Sequence, residues 1–365
     1  MEAMTEALDV VGAAIVPSDL FGPITHDPAA QRAARRRFHR LSVLIHPDRV
    51  DPAYAARAAA AFTHASNLYR RWQHDATTTT STSTSATATA TATAIVLDGN
   101  RGSYLLGPRH ARGSIADLHR ATDSGGAGVV IKVPRNVSSN ALIDAEWAAL
   151  TEIAASAEGG NDWLRAYFPQ LIDHLTHADP VTGARRQVNV LDSLTTGFVT
   201  LAEVRAAYPD GLDPRDWVWM HRRLLRALAA AHRAGWVHTA VTADNVLIHP
   251  ERHGVVLAGW AFATRPGTVP LATIPSRRDH YPPESSTGSP ATPAWDVFMA
   301  HRLMLTMLAD TAPDRLRAFA CGCMQPQPGL RPDAVDLLDE FDDLLDTLYG
   351  RRRFRPFTMP TTKGQ

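Results

Sequence analysis

The chain has 365 residues, 45% hydrophobic and 20% charged, with 37 Lys+Arg set against 37 Asp+Glu. That length and apolar content suit two domains, or one large one, each able to build a core. A formal charge of zero gives no chain-wide field for nucleic acid or an anionic membrane, the apolar runs fall short of a bilayer span, and two cysteines exclude a disulfide framework.

Met1 to Asp19 carries Glu2, Glu6 and Asp9 where a secretory signal would be positive, so a soluble, cytoplasmic protein is expected. Asp27 and Pro28 then signal an N-cap and first helical turn. From there Ala33, Phe38, Leu41, Leu44 and Ile45 recur near helical spacing, with Arg32, Arg35, Arg36, Arg37 and Arg40 largely on other faces. Pro47 stops that helix. A second runs from about Pro52 to Trp72, with Tyr54, Ala58, Phe62, Ala65, Leu68 and Tyr69 as its stripe. The two predict an antiparallel hairpin across the loop His46, Pro47, Asp48, Arg49, Val50.

Ala76 to Ala94 is almost pure Thr, Ser and Ala. It cannot bury enough surface to offset its ordering entropy and reads as a flexible linker between domains at 1–75 and 95–350. Beyond it come short strand patterns at Ala94–Leu97, Tyr104–Gly107, Ser114–Ala121 and Val129–Val133. A helix at Asn140–Ala155 follows, then strands at Phe168–Asp173 and Arg186–Leu191. Helices at Pro214–Ala234, Ala294–Ala309 and Pro332–Leu348 dominate the rest. Strands first and helices later predict an α+β unit of two lobes. Cys321 and Cys323 have no His partner in their run, so half-buried reduced thiols are expected and no metal site. Residues 351–365, with Arg351, Arg352, Arg353 and Arg355 around Phe354, read as a basic, solvated tail.

The arginine-rich helix, the His46-Pro47-Asp48 tripeptide and the helix bearing Phe62 and Tyr69 together resemble the J-domain of the DnaJ co-chaperone family. Asp19-Leu20-Phe21 resembles the start of that family's first helix, and Gly22-Pro23 departs from it. The resemblance covers roughly Asp19 to Trp72. It implies stimulation of ATP hydrolysis by a DnaK-type chaperone, dependent on His46, Pro47 and Asp48, with Arg36, Arg37 and Arg40 as contact residues. The physics is compatible: a basic helix steers onto an acidic partner surface, and Pro47 stiffens a turn offering His46 and Asp48 as donor and acceptor. The plainer reading is a helical hairpin with a proline turn.

Val130-Ile131-Lys132 resembles the Val-Ala-Ile-Lys strand of protein kinases, and Glu146 lies where that family places the ion-pair partner of the lysine. Leu225, Leu228, His232, Gly235, Val237 and His238 match the approach to the kinase catalytic loop. Asn245 and Val246-Leu247-Ile248 follow it. Pro282-Pro283-Glu284 resembles the Ala-Pro-Glu element, Asp296-Val297-Phe298 the start of the large C-lobe helix, and Arg331 the late arginine that pairs with that Glu. The resemblance covers about Ala94 to Tyr349. The fold expected is therefore multidomain: a small all-α J-domain-like hairpin and a two-lobed α+β kinase-like domain, joined by the linker.

The catalytic carboxylates do not follow. The His-Arg-Asp run, whose Asp accepts the substrate proton, is His238-Thr239-Ala240 here, and the magnesium-binding Asp-Phe-Gly is Gly259-Trp260-Ala261. The phosphate loop, Ala111-Arg112-Gly113 followed by Ala116, keeps one of three glycines. This implies a pseudokinase, unless Asp244, Asp117 or Asp123 substitutes for a missing carboxylate. Lys132 is one of two lysines in the chain, the other being Lys363. It either pairs with Glu146 merely to hold the small lobe, or also contacts a nucleotide, in which case Gly113, Glu146 and Asn245 complete an ATP site. Trp260 either fills part of that cleft or packs in the core.

The expected function is a J-domain co-chaperone whose inactive kinase-like domain binds a client or partner, or senses nucleotide. Its partners would be a DnaK-type chaperone and a client protein, with no nucleic acid, no membrane and no obligatory cofactor. The alternative is an unconventional ATP-using kinase or transferase with a J-like targeting arm. A third reading is a scaffold in which both modules only bind proteins.

Overall fold

Apolar periodicity decides the helices of the first ninety residues. The computed structural model describes residues 2–14, 17–22, 27–45, 50–51, 54–78, 95–157, 161–178 and 183–360. The chain divides into two units, Met1–Thr91 and Ala92–Gln365. The described residues of the first form α1 (Glu2–Ala13), α2 (Pro17–Phe21), α3 (Pro28–Leu44) and α4 (Ala55–Thr78). Asp27 caps α3 by accepting from the Ala30 amide at 3.3 Å. The face of α3 turned to the core is Ala34, Phe38 and Leu41, with Ile45 just past its end, and it meets Ala58, Ala61, Ala65, Leu68 and Trp72 of α4 in one apolar cluster. Ala33 and Leu44, expected in that stripe, are exposed. Each stands one residue, about 100° of helical rotation, from a buried neighbour.

Phe38 stacks on Tyr69 with ring centres 4.3 Å apart, and Phe21 meets both edge-on. The expected two-helix hairpin is incomplete, because α1 and α2 close the cluster with Leu8, Val11, Leu20 and Phe21. Trp72 Nε1 donates to the Gly22 carbonyl at 2.9 Å, tying α4 to the end of α2. The His46-Pro47-Asp48 tripeptide lies outside the described residues, as does the Thr/Ser/Ala segment beyond Thr78. Helix α4 runs past Ala76, where the linker was expected to begin.

The second unit opens with an antiparallel sheet of six strands in the order β1-β2-β3-β4-β6-β5. These are β1 (Val96–Asp98), β2 (Ser103–Arg112), β3 (Ala116–Asp123), β4 (Gly128–Pro134), β5 (Leu171–Ala178) and β6 (Arg185–Asp192), with α5 (Asn140–Ser156) between β4 and β5. Alternation puts Val129 and Ile131 of β4 and Val188 and Val190 of β6 into one core. The strand expected at Phe168 begins three residues later. Asp162–Tyr167 winds into 3₁₀ turns, and Tyr167 and Phe168 drop into the core of the helical lobe instead.

That lobe holds β7 (Val199–Thr200), α6 (Leu201–Ala207), α7 (Pro214–Arg233), β8 (Val246–His249), β9 (Gly254–Leu257), α8 (Pro293–Met307), α9 (Asp314–Gly322) and α10 (Asp336–Tyr349). Helix α7 is amphipathic: Trp217, Met220, Leu224, Leu228 and Ala231 are buried, and arginines occupy the other side. Most of α8 is buried, which makes it the central helix of the lobe. Residues 351–360 are not the solvated tail expected. Phe357 is 4% exposed and packs on Tyr208 and Trp219, because the apolar Phe357 and Met359 anchor the arginine run to the lobe. Cys321 is exposed and Cys323 buried, with burial pushing the Cys323 thiol up to about 12. Among the described residues, no helix is long and apolar enough to cross a membrane.

Candidate functional site

Lys132 projects from β4 and Glu146 from α5, and the structure brings them together. Lys132 Nζ lies 2.7 Å from Glu146 Oε1, with the side chains 10% and 2% exposed. Two charges so far from water persist only with further hydrogen bonds. Asn189 of β6 supplies them: its Nδ2 donates to Glu146 Oε2 and to the Ile143 carbonyl, each at 3.1 Å. Asn189 Oδ1 in turn meets His174 Nδ1 at 2.7 Å, and His174 Nε2 meets Asp144 Oδ1 at 3.2 Å. A polar chain thus fastens α5 to the sheet. Sequence reasoning missed Asn189. It sits between Val188 and Val190 in a stretch buried on both faces, and only its being polar inside an apolar run marks it.

The catalytic-loop segment is held through its backbone. Asp296 of α8, fully buried, accepts from the His238 amide at 2.7 Å and the Thr239 amide at 2.8 Å, and from His232 Nε2 at 2.9 Å. Thr239 takes the left-handed conformation, φ +55°, and its hydroxyl donates to the Phe262 carbonyl at 2.7 Å. His238 Nε2 donates to the Ala258 carbonyl, leaving Nδ1 to accept from the Ala240 amide. Burial holds this imidazole below its usual pKa, against the opposing pull of Asp296.

At the two positions where phosphoryl transfer needs carboxylates stand Ala240 and Gly259. Gly259 has φ +85°, and a Cβ there would overlap the Asn245 side chain. Asn245 itself donates from Nδ2 to the Ala240 carbonyl at 2.9 Å. Asn245 Nδ2 thus helps close the loop. The donor set does not fit a kinase-type magnesium site: Gly259 replaces the carboxylate that would hold the metal, leaving only the Asn245 amide of the usual Asp and Asn pair. The three carboxylates that might have substituted are engaged elsewhere. Asp244 pairs with Arg277, Asp117 with Arg109 and Arg135, and Asp123 caps the β3–β4 turn through the Gly125 and Ala127 amides.

Gly113 turns the β2–β3 hairpin, its amide bonded to the Ala116 carbonyl at 2.9 Å. Arg135, which follows β4 and which nothing in the sequence marked, reaches back to the Gly113, Ser114 and Ala116 carbonyls. The glycine that the sheet itself requires is Gly107, where a Cβ would come within 2.7 Å of the Arg120 carbonyl oxygen. Trp260 is a core residue, fully buried between His238 and Phe168, with Nε1 donating to the Leu257 carbonyl at 2.7 Å. Glu284 and Arg331 form the expected pair, bidentate at 2.6 and 2.9 Å.

In the N-terminal unit, Arg36, Arg37 and Arg40 are exposed on α3. Arg36 and Arg40 border an open groove of about 740 Å³ whose walls include Arg32, Arg35, Phe38 and Tyr69.

No protein-family profile matches the chain, and no curated protein matches it. Among solved structures it is similar to vaccinia related kinase 3, with a TM-score of 0.56 and 18% sequence identity, over 74% of this chain and 94% of that one. At that identity the likeness shows the fold: the chain contains a two-lobed protein-kinase-like domain.

Proposed function

We propose that the chain is a J-domain-type co-chaperone whose kinase-like unit binds a client or partner and does not transfer phosphate. One observation carries the reading of the larger unit. Its Lys132–Glu146 clamp is intact while Ala240 and Gly259 leave the loop without a proton acceptor or a metal carboxylate. Architecture has been kept without chemistry, as suits a binding surface. The co-chaperone half rests on the sequence His46-Pro47-Asp48, and the exposed arginines of α3 support it by offering a cationic face to an acidic chaperone.

The test uses the full chain, its His46→Gln variant, and a DnaK-type chaperone with ATP. Stimulated ATP hydrolysis that disappears in the variant, with the circular dichroism spectrum unchanged, is the expected result. Equal stimulation by both proteins, or by neither, refutes the co-chaperone half.

The Lys132–Glu146 pair favours a second reading, an ATP-binding transferase with a targeting arm. It requires phosphate transfer from labelled ATP that vanishes in Lys132→Ala. Absence of transfer with magnesium, manganese and no metal eliminates it.

A further inference from the structure

A groove of about 820 Å³ lies on the helical lobe between α7, the end of α10 and residues 350–355. Eight arginines line it, four from α7 and four from the run after Gly350, against one acidic residue, Asp346. Neighbouring carboxylates neutralise only some of them: Asp342 takes Arg222 and Arg352, and Asp213 and Asp216 take Arg355. Arg223, Arg226, Arg351 and Arg353 have no acidic partner among the described residues, although Arg223 and Arg226 are half-buried. In a chain of zero formal charge, cations gathered this closely and partly desolvated repel one another until an anion joins them.

The floor of the groove is a stack of rings. Trp219 lies on His253 at 4.0 Å, and Phe354 covers the other side of His253 at 4.5 Å. His253 holds a left-handed backbone, φ +53°, and is 8% exposed. Its Nε2, Trp219 Nε1 and the Tyr349 hydroxyl are buried with no hydrogen-bond partner, and all three residues line the groove. Buried polar atoms are nearly always paired, and three of the ten orphaned side-chain atoms among the described residues fall in this one wall, which leaves it with unmet hydrogen-bonding capacity.

We propose that this groove binds a compact, multiply phosphorylated small molecule. Guanidinium groups match phosphate geometry bidentately, and the unpaired Arg223, Arg226, Arg351 and Arg353 supply the charge. An extended nucleic acid fits poorly. The adjoining helix α10 carries Asp336, Asp339, Glu340, Asp342, Asp343 and Asp346, which would repel a strand leaving the groove. The chemistry suits a phosphorylated polyol, whose hydroxyls would also meet the orphaned polar atoms, or an inorganic polyphosphate.

Calorimetric titration of the full chain with inositol trisphosphate, with tripolyphosphate and with a dodecathymidylate strand tests the proposal. Saturable binding of at least one small probe is expected. It weakens about tenfold or more in Arg226→Gln/Arg353→Gln, and is unchanged in Arg101→Gln on the other lobe. Neither Arg226 nor Arg353 makes a bond whose loss would unfold the lobe, and thermal melting of the double variant verifies that. His253→Phe keeps the ring stack and removes the orphaned nitrogen. A larger loss for inositol trisphosphate than for tripolyphosphate supports the proposal with a polyol as ligand; equal behaviour of the two supports it with inorganic polyphosphate. No saturable binding of either small probe, equal weakening by Arg101→Gln, or tighter binding of the strand overturns it.

Discussion

Replacing Lys132 by Met tests whether the clamp between β4 and α5 holds the small lobe together. The substitution keeps the length of the stem and removes the ammonium. Glu146, 2% exposed, is then a buried carboxylate with only Asn189 Nδ2 to solvate it. Stranding one member of a buried ion pair costs about 3–5 kcal/mol. At about 2–4 °C per kcal/mol for a unit of this size, the melting temperature falls by roughly 6–20 °C. Adding Glu146→Gln removes the stranded charge and leaves an amide oxygen for Asn189. The double variant should recover about 2 kcal/mol or more of the loss, a coupling that distant sites do not show. Urea unfolding followed by circular dichroism reads both numbers. A loss below about 1 kcal/mol for Lys132→Met, or strict additivity in the double variant, would refute the structural role.

His221 and His301, both fully buried, face each other with Nε2 atoms 3.2 Å apart, and burial pushes both below 6.5, His301 to about 4. The unfolded chain takes up these protons near pH 6.5 and the folded chain does not until lower pH. Stability is therefore full above about 6.5 and lost as the pH falls toward 4, at about 1.4 kcal/mol per pH unit for each proton. Urea unfolding at several pH values checks this, and constant stability between pH 7 and pH 5 contradicts it. Gly211 has φ +88°, and a Cβ there would lie 2.6 Å from the Ala309 amide nitrogen, whereas Gly267, at φ +79°, has nothing within 4 Å. Thermal melts should show Gly211→Ala costing about 1–3 kcal/mol more than Gly267→Ala, and equal costs would contradict the close approach. Arg331, with a fully buried side chain, holds Glu284 bidentately, so Arg331→Lys should cost about 2–4 kcal/mol in the same assay. A loss under about 1 kcal/mol would make that pair dispensable.

Motifs with fixed spacing were legible. Lys132 with Glu146 and Glu284 with Arg331 are brought together as the kinase resemblance implied, whereas the hold of Asp296 on the 238–239 amides was not foreseen beyond its place at the start of a helix. Contacts made across unrelated segments were not. Asn189, Arg135 and Phe357 act through partners far away in sequence, and no local pattern announces them. Helix α1 was legible in principle, since Met4, Leu8 and Val11 follow a helical period. Trp260 left two possibilities open, and only its burial against His238 and Phe168 decided for the core.

The grip of Asp296 on the catalytic-loop segment also bears on how such a chain tolerates change. Its carboxylate reads the amides of residues 238 and 239, and amides are common to every amino acid except proline. That hold does not involve the side chain at 240, where Ala240 is fully buried in the apolar core of the lobe. A small apolar residue suits that packing, and a carboxylate placed there would have to be solvated inside the core. Placing a carboxylate would therefore be costly at both positions, at Ala240 through burial and at Gly259 through the Asn245 side chain.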